Sequence, residues 1–214
     1  MTTQTAKLFR PLLFAVFAWA GPASAAIPLG AENVEPLKAG VRAPAATVKT
    51  ADGADFDLGQ AFANIPTVLI FYRGGWCPFC NRQLAGIQDY APKFIELGYQ
   101  ILAVCTDKPE DLGATAIKDH LTYTVLSDRR MAAASAFKVA FRLTDPDAKR
   151  YASNHIALPE IQGESGAFWL VVPSIFIIGT DGVIKFVEFN PNFRIRPPPA
   201  EILTAAARAN NETR

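Results

Sequence analysis

Two cysteines separated by two residues offer the clearest chemistry in this sequence. Cys77 and Cys80 stand in the segment Trp-Cys-Pro-Phe-Cys, which begins at Trp76. Thiols three residues apart on one turn of a helix lie close enough to form a small disulfide. Such a pair can give up and regain two electrons, so the spacing predicts a redox-active dithiol.

Two other uses of the cysteine pair fit the sequence less well. A zinc site needs about four ligands, and the remaining soft candidates are Cys105, His120 and His155, none of which belongs to a paired motif. A purely structural disulfide across so short a loop removes little entropy from the unfolded chain. We therefore expect no metal at this pair, and the dithiol chemistry calls for no organic cofactor.

The elements around the pair predict different roles for the two thiols. Thr67–Tyr72 is an unbroken apolar run, typical of a strand that is buried on both faces. A turn at Arg73–Trp76 leads into a helix that holds Pro78 in its first turn. A helix N-terminus favours an anion, so Cys77 should have a lowered pKa and act as the nucleophile. Cys80, farther into the helix, should be the shielded resolving cysteine.

A second strand is predicted at Gln100–Cys105, after a helical pattern over residues 84–97 that ends at Gly98. Strand, helix and strand in this order predict two parallel strands joined by a crossover. Parallel strands end at the same edge of a sheet, so Cys105 should lie on the edge that also carries Cys77. Cys105 is a candidate third redox thiol, although a buried hydrophobic role is the commoner one for such a cysteine.

The rest of the chain continues the alternating α/β pattern. Its glycine-containing turns predict two hairpins, and the stretch Leu143–Ala167, which has no clean period, is predicted to be a long surface excursion. The other predicted elements are a hairpin of Thr47–Lys49 and Phe56–Leu58 around Asp52 and Gly53, helices at Pro109–His120, Met131–Phe137 and Glu201–Arg208, a strand at Tyr123–Leu126, and a hairpin of Ser174–Ile178 and Val183–Phe189.

Composition narrows the function classes. The 214 residues are 50% hydrophobic and 19% charged, which predicts one folded domain rather than a disordered chain. With a formal net charge of +1, the chain lacks the excess of basic residues that is typical of proteins that bind nucleic acid or an anionic membrane. Three cysteines are too few for a scaffold held together by disulfides.

The first 25 residues have the pattern of a signal peptide. Lys7 and Arg10 precede an apolar run over residues 12–20, and the small residues Ala23 and Ala25 mark a cleavage site. The apolar run is too short for a comfortable membrane span, so we expect no stable membrane insertion after cleavage near Ala25. An uncleaved anchor or a buried helix is the alternative.

This pattern predicts a secreted protein, which would be periplasmic in a Gram-negative bacterium. The predicted organisation is a signal peptide at residues 1–25, an extended lead-in at residues 26–42 and one domain at residues 43–214.

The cysteine segment resembles that of thioredoxin-like redoxins, in particular the peroxiredoxin-like proteins of the alkyl hydroperoxide reductase/thiol-specific antioxidant family. The resemblance rests on residues 71–80, 103–110 and 172–182 and extends from Ala43 to Ala207. It implies an α/β domain with a thioredoxin-like fold, in which helices flank a central mixed β-sheet.

The same resemblance implies site residues and partners. It makes Cys77 the thiolate that attacks a hydroperoxide and Pro173 a cis proline facing the redox pair. Cys80 would then form a disulfide with Cys77, and an external dithiol would reduce it. From the sequence alone, Pro173 is equally suited to a trans residue that opens an edge strand.

Two positions depart from the family pattern. Family members carry Thr or Ser three residues before the attacking cysteine, where this chain has Gly74. They also carry an arginine just ahead of the late strand, where this chain has the apolar residues 171–173. Arg73 is either a substitute cation or a solvated turn residue. Trp76 is expected to shield the sulfur and shape a substrate surface, with ordinary packing as the alternative.

Together these features predict a thiol-dependent antioxidant enzyme that reduces hydroperoxides through Cys77 and Cys80. The alternative, which the two departures favour, is a cell-envelope thiol–disulfide oxidoreductase acting on protein disulfides. A third, non-enzymatic hypothesis is a redox-sensing module whose disulfide state controls partner binding through Leu143–Ala167.

Overall fold

The computed structural model describes residues 27–118, 120–161 and 164–212. The predicted signal peptide, residues 1–25, lies outside these ranges. Within them, no helix is both long and apolar enough to cross a membrane.

The lead-in packs against the domain. It contains a short 3-10 helix at Ala31–Asn33, and the Gly30 N–H donates to the Arg142 carbonyl at 2.9 Å. Farther along, the Gly40 N–H donates to the Ile184 carbonyl at 2.8 Å. The described part of the lead-in is therefore attached to two different strands of the domain.

A mixed β-sheet forms the centre of the domain, which confirms the fold class. The strands are β1 (Thr47–Lys49), β2 (Asp55–Asp57), β3 (Thr67–Phe71), β4 (Gln100–Cys105), β5 (Thr124–Ser127), β6 (Ala140–Arg142), β7 (Trp169–Val171), β8 (Ser174–Ile178) and β9 (Ile184–Phe189). Seven of them pair in the order β2-β1-β5-β4-β3-β8-β9, and β6 with β7 forms a separate antiparallel pair. In the larger sheet β3, β4 and β5 are mutually parallel, as predicted for β3 and β4, and the other pairings are antiparallel.

The interior strand β3 contributes side chains to two core layers, one on each face of the sheet. All five of its residues are buried, with Val68 and Ile70 in one hydrophobic cluster and Leu69 and Phe71 in the other. Side chains alternate between the faces of a strand, so an unbroken apolar run is required where both faces are covered.

Helices cover both faces. They are α1 (Leu58–Asn64), α2 (Pro78–Gln88), α3 (Ala91–Glu96), α4 (Pro109–Lys118), α5 (Ala132–Ala136), α6 (Asp145–Ser153) and α7 (Pro199–Glu212). The first of these begins at Leu58, which the sequence pattern had placed at the end of a strand. The Asp57 side chain accepts a hydrogen bond from the Gln60 N–H at 3.1 Å and so caps this helix.

The predicted single helix over residues 84–97 is wrong in one respect: it is two helices, α2 and α3. Pro92 has no N–H to continue the hydrogen-bond ladder, so the first helix ends at Gln88 and a second begins at Ala91. Gly98 then ends α3 with a φ of 85°, as predicted for a glycine cap.

The predicted surface excursion at Leu143–Ala167 is also wrong in part. Thr144 accepts a hydrogen bond from the Asp147 N–H and caps α6, whose residue Tyr151 is buried. Tyr151 packs with Leu143 and Leu158 in a third hydrophobic cluster. The segment therefore contributes both a helix and a core side chain.

Pro173 is not a cis proline. The described residues contain no cis peptide bond, and Pro173 joins β7 to β8 in the trans form. The trans form is intrinsically preferred, and here the chain passes between two strands of different sheets. Nor does Pro173 open an edge strand, because β8 lies between β3 and β9.

Replacing Phe137 by Ala should lower the free energy of unfolding by about 3 to 5 kcal/mol. The Phe137 ring is fully buried, with ring centroids 5.0 Å from Phe176, 5.3 Å from Phe71 and 6.2 Å from Phe62. Urea unfolding of the reduced protein measures the loss. The control is Ile95→Ala, at a side chain 65% exposed, which should cost less than about 0.5 kcal/mol. A loss below about 1 kcal/mol for Phe137→Ala would contradict this packing.

Candidate active site

A two-glycine turn connects β3 to the helix that carries the cysteines. Gly74 has a φ of 149°, and a Cβ there would lie 2.4 Å from Nε1 of Trp76 and 2.5 Å from Oδ1 of Asp107. A Cβ at Gly75 would lie 1.9 Å from Oγ1 of Thr115. The turn therefore packs so closely against its neighbours that side chains at both positions are excluded.

The turn is also hydrogen-bonded to the end of the adjacent strand. The Gly75 N–H donates to Oδ2 of Asp107 at 2.6 Å, and the Thr106 hydroxyl donates to the Arg73 carbonyl at 2.9 Å. Asp107 and Thr106 directly follow β4, so the two parallel strands end side by side as predicted. These bonds fix where the next residues, including Cys77, enter their helix.

Cys77 occupies the N-cap position of α2, with Pro78 as the first helical residue. Its side chain is buried, 1% exposed. A hydrogen bond from the Cys80 thiol lowers the pKa of Cys77 to about 6, with help from the N–H groups of Cys80 and Phe79 and the charge of Arg73, against the opposing effect of burial. At pH 7 roughly nine-tenths of a thiol with this pKa is thiolate, the reactive form.

Arg73 is the cation next to this thiolate. Its guanidinium Nη1 lies 3.5 Å from Sγ of Cys77, and the residue is only 4% exposed. The solvated-turn interpretation of Arg73 is therefore wrong. The guanidinium is held beside the sulfur rather than in water.

Aromatic side chains from three parts of the chain surround the Arg73 guanidinium. Its carbon lies 3.9 Å from the ring centre of Phe193, 4.8 Å from that of Trp76 and 5.4 Å from that of Tyr151. The Tyr151 hydroxyl accepts a hydrogen bond from Nη2 of Arg73. Stacking on aromatic faces suits guanidinium, which is weakly hydrated, and the loss of water strengthens its field at Cys77.

Trp76 packs inside this group. Its ring meets Tyr151 edge-on at 5.6 Å, and its buried Nε1 has no hydrogen-bond partner among the described residues. Trp76 therefore packs against Arg73. Its indole N–H is a hydrogen-bond donor without a partner among the described residues, next to the nucleophile Cys77 in the chain.

The pKa of Cys80 is shifted in the opposite direction to that of Cys77. Cys80 is fully buried, and burial raises its pKa well above the ordinary value, with a further contribution from its hydrogen bond to Cys77. A second arginine lies near it: Nη2 of Arg196 is 3.8 Å from Sγ of Cys80. Nε of Arg196 donates to Oε1 of Gln83 at 2.9 Å, which fixes the guanidinium against α2.

Cys105 lies at the same edge of the sheet as Cys77, but its thiol is not activated in the way that Cys77 is. It is 1% exposed, and burial raises its pKa well above the ordinary value, with the Asp107 charge adding to the rise. The thiolate form is therefore disfavoured, which supports the hydrophobic role over that of a third redox thiol. All three cysteines are free thiols in this structure.

Pro173, in the trans form, lines a small cavity of about 10 Å³ together with Gln83 and Arg196. Its link to the cysteine pair is therefore through Arg196, which contacts Cys80. The structure brings Cys77, Cys80, Arg73 and Trp76 together at one end of the sheet.

Three site residues, Tyr151, Phe193 and Arg196, were absent from the sequence prediction. Each lies far along the chain from the cysteines in a segment without clear periodicity, so no local pattern indicated them. The one available signal was composition: residues 193–196 alternate aromatic or apolar residues with two arginines, Phe-Arg-Ile-Arg.

Comparison with known proteins finds one matching family model and several similar chains. A family model described as the AhpC/TSA family matches residues 39–187. Peroxiredoxin Bcp of Escherichia coli (strain K12) is 35% identical over 95 residues, which cover 44% of this chain and 60% of that protein, less than two thirds of its length. A putative peroxiredoxin of Mycobacterium tuberculosis (strain CDC 1551 / Oshkosh) is 25% identical over 154 residues, 72% of this chain and 86% of that protein.

Solved structures show the same fold. The crystal structure of peroxidoxin BcpB from Mycobacterium tuberculosis superposes with a TM-score of 0.63 at 21% identity, covering 81% of this chain and 97% of that one. A peroxiredoxin-like protein from Aquifex aeolicus gives a TM-score of 0.62 at 19% identity, covering 86% and 96%. The thioredoxin-like fold expected from the sequence is thereby confirmed.

Alkylation of Cys77 by iodoacetamide should rise with pH through a midpoint near 6, because only the thiolate reacts. Arg73→Met and Cys80→Ala should each move the midpoint upward, since each removes an interaction that stabilises the anion. Mass spectrometry of the Cys77 peptide measures the rate. The control is Arg130→Met, at an exposed arginine, which should leave the midpoint in place. A wild-type midpoint near 9 would show that the thiolate is not stabilised.

Introducing the hydroxyl that the family pattern has at position 74 should damage the site. In Gly74→Thr the new Cβ would meet Trp76 and Asp107 at a φ that favours glycine, so we expect a lower melting temperature and slower alkylation of Cys77 at pH 7. Gly113→Ala is the control, because a Cβ there meets nothing within 4 Å and should preserve both measurements. A Gly74→Thr protein as stable and reactive as wild type would contradict the close packing of this turn.

Proposed function

The chain belongs to the AhpC/TSA family, and from that membership we propose that it reduces hydroperoxides with Cys77 as the attacking thiolate. The observation that carries the proposal is the Arg73 guanidinium, buried and 3.5 Å from the Cys77 sulfur. This arginine supplies a cation at the sulfur although the two family positions noted above hold Gly74 and the apolar residues 171–173.

The proposed first step is attack of the Cys77 thiolate on one oxygen of a hydroperoxide. The sulfur–oxygen bond forms as the oxygen–oxygen bond breaks, and the second oxygen leaves as an alcohol or water after taking up a proton. Negative charge moves from the sulfur toward the leaving oxygen during this step. Arg73, 3.5 Å from the sulfur, stabilises the thiolate before the reaction, and we expect it to stabilise the charge that develops next to the sulfur during it.

In the second step Cys80 resolves the sulfenic acid that forms on Cys77. The Cys80 sulfur bonds to the Cys77 sulfur, and the hydroxyl of the sulfenic acid leaves as water. The two residues are three apart on the same helical turn, so the α2 backbone needs only a local change to allow this bond. An external dithiol then returns two electrons to the pair.

A second candidate function is thiol–disulfide exchange with protein substrates. The observation in its favour is the contrast between the two thiols: the pKa of Cys77 is lowered to about 6, whereas burial raises that of Cys80. A reactive thiolate backed by a protonated partner suits exchange with a disulfide as well as attack on a peroxide.

Stopped-flow oxidation of the reduced protein by hydrogen peroxide, followed by tryptophan fluorescence, tests the first function. We expect oxidation at least 100 times faster than that of a free thiol at the same pH, because a cation at the sulfur stabilises the transition state. Arg73→Met should slow the step about tenfold or more. Oxidation at the free-thiol rate, with rapid exchange against a protein disulfide, would transfer the assignment to the second function.

Two serine variants complete this test by separating the roles of the thiols. Cys77→Ser should abolish rapid oxidation. Cys80→Ser should keep the first step and accumulate a sulfenic acid, which dimedone labels on the Cys77 peptide. Loss of the first step in Cys80→Ser but not in Cys77→Ser would reverse the assigned roles.

A further inference from the structure

A positively charged groove lies beside the second cysteine. Its lining includes Arg82 and Gln83 of α2, together with Arg194, Arg196 and Pro197 from the segment between β9 and α7. The cavity has a volume of about 230 Å³ and contains no acidic residue in its lining. We call it the arginine groove, defined by Arg82, Arg194 and Arg196.

The three guanidinium groups are held in place but not neutralised. Arg82 lies 5.7 Å from the ring centre of Phe79 and Arg194 lies 4.9 Å from that of Phe193, so both stack on aromatic rings. None of the ion pairs found in the described residues involves these arginines. Glu188 lines the adjoining small cavity rather than the groove, and burial raises its pKa.

Three clustered guanidinium groups without an acidic partner repel one another and attract an anion. Guanidinium binds planar oxyanions such as carboxylate through two parallel hydrogen bonds. The exposed arginines 82 and 194 are free to make these bonds, whereas the three nitrogens of Arg196 already contact Gln83, the Ile195 carbonyl and Cys80. The groove therefore has both a carboxylate-binding part and a direct link to the redox pair.

We propose that the arginine groove binds the carboxylate of a small dithiol that reduces the Cys77–Cys80 disulfide. This inference rests on the proposed dithiol function of the pair and names the class of its electron donor. Arg196 lines the groove, and its Nη2 lies 3.8 Å from Sγ of Cys80, so the groove adjoins the second cysteine.

The electrons of this step balance with one dithiol. Its first thiolate attacks the Cys80 sulfur, the Cys77–Cys80 bond breaks, and the electron pair stays on Cys77 beside Arg73. Cys77, with a pKa of about 6, is the better leaving group of the two. The second sulfur of the donor then attacks its first, closing a cyclic disulfide, and Cys80 leaves and takes up a proton.

Dihydrolipoate and dihydrolipoamide form a matched pair of probes, because they carry the same dithiol and differ in a carboxylate or a neutral amide. The protein is first oxidised with diamide, so the test does not depend on any reaction with peroxide. The rate of reduction of the Cys77–Cys80 disulfide is then measured for each probe. We expect dihydrolipoate to react about tenfold faster than dihydrolipoamide at low salt, with the ratio falling toward one as salt is added.

Arg82→Gln and Arg194→Gln should each lower the ratio of the dihydrolipoate rate to the dihydrolipoamide rate several-fold. Arg82→Glu combined with Arg194→Glu should make dihydrolipoamide the faster of the two probes. The control is Arg208→Gln, at an exposed arginine of α7 outside the groove, which changes the net charge equally and should keep the wild-type ratio. A wild-type ratio near one, or a ratio that falls as much in Arg208→Gln as in the groove variants, would overturn the proposal.

One other molecule can bring a carboxylate to the arginine groove, namely a hydroperoxide substrate that is itself a carboxylic acid. Linoleic acid hydroperoxide and its methyl ester distinguish a groove that binds the oxidant from one that binds the electron donor, because the two peroxides differ only in the carboxylate. If Arg82→Gln lowers the preference for the acid over the ester but leaves the dithiol ratio unchanged, the groove serves the oxidant and the proposal is wrong. Slow oxidation by every peroxide, with the dithiol ratio intact, would remove the peroxidase function and leave the donor site standing.

Discussion

The contact between the two-glycine turn and the end of β4 determines the geometry of the whole site. The turn at Gly74 and Gly75 approaches Asp107 and Thr115 so closely that no side chain fits at either glycine. That approach depends in turn on β3 and β4 being parallel neighbours whose ends lie together. The register of two buried strands thus sets the position of Cys77 at the start of its helix, and the absence of a hydroxyl at position 74 follows from the same crowding.

The two thiols of the pair differ because their surroundings do, although they lie on one turn of one helix. Cys77 is an N-cap residue with free N–H groups and the Arg73 guanidinium nearby, so its charged form is stabilised despite burial. Cys80 lies deeper, where desolvation dominates and a more distant arginine only partly offsets it. The same helical turn therefore favours the thiolate form at Cys77 and the protonated thiol at Cys80.

Local sequence was sufficient for the parts of this site that are continuous in the chain. Cys77, Cys80 and Pro78 were assigned by their place between a buried strand and a helix, and the parallel pairing of β3 and β4 followed from that order. Arg73 was identified as a candidate, but only burial by distant rings decides that it is not a solvated residue. Tyr151, Phe193 and Arg196 come from segments whose course depends on tertiary packing, and the trans form of Pro173 is likewise a property of the folded chain.

Several of the residues that enclose the cysteine pair lie late in the sequence. Arg73, Trp76, Cys77 and Cys80 all precede residue 81. Phe193, which stacks on Arg73, and Arg196, beside Cys80, lie more than 110 residues later. Since a chain is synthesised from its N-terminus, the two thiols emerge long before the groups that enclose them. During that interval the two thiols lack both the ring that stacks on Arg73 and the arginine beside Cys80. The contrast between the two thiols is therefore complete only once residues 193–196 have been made and have packed beside them.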